Sequence, residues 1–117
     1  MKTNYEQIVN VTQIGKRGSI DMNSIFTMVE QEQISPAVND TTKRLVLCID
    51  VQKDFMEGGA LGVPGSVTDV ERLTRFIYNN MEGITCILCS LDTHTPHQIF
   101  HPCWWVNSEG KHPTPYT

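Results

Sequence analysis

Two short apolar runs constrain this chain more than anything else in it. Leu45-Val46-Leu47-Cys48-Ile49 leads into Asp50, and Ile84-Thr85-Cys86-Ile87-Leu88 continues through Cys89-Ser90-Leu91 to Asp92. A near-continuous apolar stretch of that length reads as a strand covered on both faces, which is the signature of a parallel sheet. The expected strands are 44–50 and 84–91. Between them, residues 57–66 are too rich in glycine, with Pro64 added, to hold a helix. The spacing of Val67, Val70, Leu73, Phe76 and Ile77 then predicts a helix over 67–80, with Ser66 or Thr68 as its cap and Gly83 past its end. Strand, loop, helix and strand make a right-handed crossover between adjacent parallel strands. Asp50 and Asp92 must therefore emerge at the same sheet edge, where α/β proteins gather ligands and catalytic groups.

The chain of 117 residues is long enough for one modest α/β domain and too short for two ordinary ones. Residues 44–117 form that domain, and residues 1–43 read as an N-terminal extension and linker packed on it. Within the extension, 21–33 is the best helical stretch, with Asp21 or Asn23 as its cap, and Gly15-Lys16-Arg17-Gly18-Ser19 is a turn. A doubly wound domain usually holds about four to six strands, and only two are evident here. The expected architecture is thus the front portion of a larger sheet, with an unpaired strand edge and poor stability in isolation.

A net charge of −4 gives no electrostatic reason to expect nucleic acid or an anionic membrane as partner. No apolar run approaches the ~20 residues that a membrane helix needs. Met1-Lys2-Thr3-Asn4-Tyr5-Glu6 lacks the apolar core of a secretory signal, so the cytoplasm is the expected location. The four cysteines imply no disulfide framework. Cys48 reads as a small core hydrophobe. Cys86 and Cys89 form a C-x-x-C, but three positions apart on a strand they face opposite ways and lack a helix N-terminus. Cys103 falls in a loop.

The chemistry-bearing residues cluster after the two strands. Asp50 can act as a general base if burial or a nearby cation adjusts it. Gln52 lines the pocket or orients the loop, and Asp54 is expected to accept from the Gly58-Gly59 backbone. Asp92-x-His94 puts a carboxylate and an imidazole on one side of an extended segment, where both can ligate a divalent ion. His97, His101 and His112 follow as possible third ligands, or as loop caps among Pro96, Pro102 and Pro113. Trp104 and Trp105 offer packing or a lid.

Asp50-Val51-Gln52-Lys53-Asp54-Phe55, the loop Gly58-Gly59-Ala60-Leu61-Gly62-Val63-Pro64-Gly65, the helix after it and a second strand ending in Asp92-Thr93-His94 resemble the opening of the nicotinamidases, in the isochorismatase-like cysteine hydrolase superfamily. The family pattern is D-x-Q-x-D-F, then G-G-[SA]-L-x-V-x-G, then D-x-H, and this chain matches it in order and spacing over roughly residues 44–101. The resemblance implies a three-layer αβα fold with a mainly parallel sheet, and a small-molecule amide as substrate. It implies that Asp50 takes the proton of a nucleophilic cysteine and that Phe55 stacks on a pyridine ring. It further implies that Asp92, His94 and a third histidine, His101 or else His97, hold a divalent metal, zinc by preference. The family's lysine and nucleophilic cysteine belong to later strands, so the expected fragment has no amidase activity alone; a homo-oligomer is compatible with it. A metal-free member of the superfamily, such as an isochorismatase or ureidoacrylate hydrolase, a non-catalytic interaction module, and a zinc hydrolase built from Asp and His alone are the competing readings.

Overall fold

The computed structural model of the chain describes residues 1–18, 21–95, 97–99 and 101–114. Ser19 and Ile20 of the first loop, Pro96 and Phe100 of the histidine-rich segment, and the terminal 115–117 lie outside the described residues. The fold is mixed α/β, with two parallel strands at its centre. Strand β1 (Leu45–Cys48) pairs with β2 (Cys86–Cys89) in the register Leu45–Cys86, Val46–Ile87, Leu47–Leu88 and Cys48–Cys89. Both strands are shorter than the apolar runs that encode them. Among the described residues three α-helices accompany the sheet: α1 (Tyr5–Ile8), α2 (Met22–Gln31) and α3 (Ser66–Asn80).

Helix α3 is the crossover helix, and its start departs from the expected cap. Gly65, in the left-handed region at φ 84°, occupies the cap position, and neither Ser66 nor Thr68 caps the helix. Ser66 lies inside the first turn, where its hydroxyl accepts the Glu57 amide at 3.0 Å. The Glu57 carboxylate in turn accepts the Gly65 amide. The loop therefore consumes the hydroxyl that would have capped the helix, and glycine supplies the turn instead. Asp21 does cap α2, accepting the Asn23 amide at 3.0 Å.

The extension packs against the outer side of α3. Tyr5 is buried, with its hydroxyl 2.8 Å from Thr74 Oγ1 and its ring edge-on to Tyr78 at 5.6 Å. The Arg75 guanidinium lies 4.2 Å from the centre of the Tyr5 ring. Tyr78 donates to the Thr3 carbonyl at 2.6 Å. Glu32, just past α2, accepts the amides of Lys2 and Thr3, and these bonds hold its carboxyl at about 2, against an ordinary value of 4.5. A carboxylate thus fastens the chain's first residues to the end of α2.

Expectation and structure part at the sheet faces. Val46 and Cys48 point to the side shared with α3, where Ile77, Met81, Ile84 and Ile87 line an open apolar cleft of about 260 Å³. On the opposite face Leu45 and Leu47 are each more than half exposed, and Leu88 and Ile49 are also open to solvent. Among the described residues no element covers this face. The described contacts of the extension run to α3, through Tyr5–Thr74 and Thr3–Tyr78, and not to this face. Tyr5, Cys48 and Met56 are the buried apolar residues described, a small core for a chain of this length. No described helix is long and apolar enough to cross a membrane.

Candidate functional site at the strand ends

Both strands run in the same direction, so the residues after Cys48 and Cys89 meet at one edge. Ser90 donates its amide to the Cys48 carbonyl at 2.9 Å, which extends the ladder one step past β2. The Ser90 hydroxyl then ties the edge together. It accepts the Asp50 amide at 2.9 Å and donates to Asp50 Oδ1 at 2.7 Å. Asp50 is half-buried and takes φ 54°, the single positive value among the described non-glycine residues. Aspartate is one of the few side chains that enter this region at modest cost, and its short carboxylate bonds locally there.

Gln52 makes the second tie. Its Oε1 accepts the Asp92 amide at 2.7 Å, and its Nε2 donates to the Asp92 carbonyl at 3.3 Å. One side-chain amide thereby satisfies both backbone groups of Asp92, as a neighbouring strand would. The Asp92 carboxylate turns to His94, with Oδ2 2.6 Å from Nε2. His94 Nδ1 lies 3.1 Å from Gln98 Oε1, which also accepts the Thr95 amide at 2.9 Å. This order, carboxylate to imidazole to amide oxygen, fixes the ring between two oxygens. An acceptor at Nδ1 is the usual outer partner of a histidine whose Nε2 binds a metal.

The structure brings together Asp50, Gln52, Asp92 and His94. It does not bring His101 to them in a donor group: His101 Nε2 meets the Thr95 carbonyl at 2.8 Å. His97 lies beside Trp104 with ring centres 6.3 Å apart, and His112 Nδ1 meets the Trp105 carbonyl at 2.9 Å. Among the described residues no group of three His, Cys, Asp or Glu side chains is arranged to hold a metal. Asp92 Oδ2 and His94 Nε2 are the two donors that converge. Phe55 is half-buried in the 3-10 turn Lys53–Phe55 that follows the first strand, two turns of chain from Asp50 and on the same loop.

Asp54 contributes through its backbone. Its carbonyl accepts the Leu61 amide at 2.8 Å, whereas the Gly59 amide goes to the Met56 carbonyl at 2.7 Å. The expected side-chain acceptor for Gly58-Gly59 is thus replaced by main-chain turns. Gly59 is needed for a different reason: a Cβ there would stand 2.4 Å from the Asp54 carbonyl oxygen.

Ser90 and Gln98 are the site residues that sequence reasoning missed. Ser90 was visible only as the residue before Leu91, and its part depends on the parallel register, which sets it one step past the Cys48–Cys89 pair and diagonal to Asp50. Gln98 carried no spacing signal beyond its position four residues after His94. Below the site, burial and the neighbouring Cys89 thiol push the Cys48 thiol up. Compared with known proteins, the chain matches no family model, no curated protein and no solved structure.

Proposed function

We propose that these strand ends are the base-and-metal half of a nicotinamidase-like amidohydrolase, a cytoplasmic enzyme that converts nicotinamide to nicotinate and ammonia. The observation that carries the reading is the bonded edge Asp50–Ser90 and Gln52–Asp92–His94, which holds two strand-end carboxylates and an imidazole together. The matched motifs and the parallel crossover support it, and a three-layer αβα sheet is the fold it requires. In that reaction a cysteine thiolate attacks the carboxamide carbon, the thioester forms as ammonia leaves, and water releases the acid. Asp50 serves as the base that takes the thiol proton, and Phe55 as the platform for the ring.

The four cysteines do not supply the nucleophile. Cys48, Cys86 and Cys89 lie in strands and Cys103 in the turn Pro102–Trp104, and none stands at a strand-to-helix turn whose amides form an oxyanion hole. This chain is therefore proposed to be inactive alone. Asp92 and His94 would hold a divalent cation, zinc for preference, with His101 as third ligand once its ring leaves the Thr95 carbonyl. The ion would polarise water and orient the ring nitrogen. The direct contact between Asp92 Oδ2 and His94 Nε2 would give way to the cation.

The test is a titration of zinc-loaded chain with nicotinamide, followed by nuclear magnetic resonance. Shifts confined to Asp50, Phe55 and the 92–94 segment, lost in Phe55→Ala, are expected. Shifts absent from these residues, or ammonia release that survives Asp50→Ala, overturn the reading. The second reading, a metal-free superfamily hydrolase, is favoured by the mutual satisfaction of Asp92 and His94 and by the lack of a third converging donor among the described residues. Failure of metal-replete chain to retain zinc after dialysis decides for it.

A further inference from the structure

Cys48 and Cys89 are direct partners across the parallel ladder. Residues in register on neighbouring strands point to the same face, so the two thiols stand side by side. The C-x-x-C of Cys86 and Cys89 is a distraction by comparison, because Cys86 pairs with Leu45 on the other face. Strands about 4.8 Å apart place paired Cα atoms inside the range a disulfide spans. Paired Cβ atoms at that spacing sit just above the usual disulfide separation, so a bond here would form under strain and be readily reduced.

We propose that Cys48 and Cys89 form a reversible disulfide that staples the two strands directly beneath the Asp50–Ser90 contact, with low-molecular-weight disulfides as the oxidant. Accessibility sets the order of events. Cys89 is exposed and Cys48 is only 5% exposed. The Cys89 thiolate attacks one sulfur of the small disulfide, whose S–S bond breaks and expels one thiolate. The Cys48 thiolate then attacks the Cys89 sulfur of the mixed disulfide and expels the second. The two cysteine protons end on the two released thiols, so the small disulfide gains the two electrons that the cysteine pair loses. The staple adjoins the Ser90 amide to Cys48 carbonyl bond, the first rung above which the site is built. This inference needs nothing from the amidase reading.

The full chain, incubated at neutral pH with oxidised glutathione and then alkylated, tests it by thiol counting and non-reducing peptide mapping. Two of the four thiols are expected to vanish together, with a Cys48–Cys89 linked peptide that excess reduced glutathione removes. Cys48→Ser should stop at a Cys89–glutathione adduct. Cys89→Ser should slow loss of the Cys48 thiol by about tenfold or more, the protection expected of a buried thiol. Should Cys48→Ser fold poorly, the Cys86→Ser/Cys103→Ser double variant, altered only at exposed positions, must still lose both remaining thiols as one event. A stable single adduct in that variant, or glutathione on Cys86 and Cys103 with no Cys48–Cys89 peptide, overturns the proposal.

Discussion

Asp50 shows how one residue can carry both a fold and a site. Its backbone turns through φ 54°, and the Ser90 hydroxyl stabilises that turn by bonding both its amide and its carboxylate. Strained positions of this kind persist where the surroundings over-determine them, and they concentrate at functional sites. The structural and chemical parts of the role separate by substitution. Asp50→Asn keeps the residue type that tolerates the left-handed region and keeps an acceptor for Ser90, so stability should change little. Asp50→Ala loses both and should cost about 1–2 kcal/mol. Ser90→Ala strands the Asp50 amide and should cost about 1 kcal/mol, while the Asp50→Ala/Ser90→Ala pair should cost less than the sum. Native-state amide exchange at Asp50 and its neighbours reads all four; equal losses for the Asn and Ala variants would show that the turn does not depend on the side chain.

At the scale of elements, local pattern and non-local placement part company. The positions of both strands, the crossover helix and the α2 cap, as one of Asp21 and Asn23, were legible because each depends on neighbours in sequence. Phe76, expected in the core-facing stripe of α3, is instead 52% exposed. The Gly65 cap was not legible, since the Ser66 hydroxyl is drawn off by the Glu57 amide across the loop. Nor was Ser90, whose part follows from register, or the bare sheet face, which depends on what other segments cover. Asp92 and His94 were legible as a pair, yet their link to Gln52 and Gln98 requires the loops to close first. The loop after Phe55 is held by backbone turns around Gly59, where an added methyl would collide with the Asp54 carbonyl at 2.4 Å. Carbonyl oxygen fixed in a turn cannot swing aside as a flexible side chain would. Gly59→Ala should therefore cost about 1–3 kcal/mol and speed proteolysis within 57–65, whereas Ala60→Gly next to it should not. An unchanged cleavage rate in Gly59→Ala would mean that the loop yields freely.

Over the whole molecule the chain is open and elongated. Its radius of gyration is 19.6 Å, against about 13 Å for a compact chain of this length. Two forces act on so open a shape. The first is the N-terminal clasp, in which Glu32 grips the Lys2 and Thr3 amides. A carboxyl lowered from 4.5 to about 2 lends its full stabilisation above pH 4.5 and loses it as the pH falls through that interval. Amide exchange at Lys2 and Thr3 should accelerate between pH 4.5 and 2, beyond the intrinsic pH trend, and Glu32→Gln should show the accelerated rate already at pH 6. The second force is the uncovered sheet face. Leu45, Leu47, Ile49 and Leu88 form an apolar strip beside strand edges that no other described strand pairs, the arrangement that recruits further chains. The isolated chain should consequently melt without sharp cooperativity and self-associate as its concentration rises. Leu47→Lys places a charge at the middle of the strip without touching Cys48 or the strand ends. Sedimentation should find that variant more monomeric at equal concentration, with its strand-end hydrogen bonds retained. A reversible, cooperative melt of monomeric wild-type chain would show instead that the strip is already satisfied, and that two strands and one crossover helix suffice to hold the site.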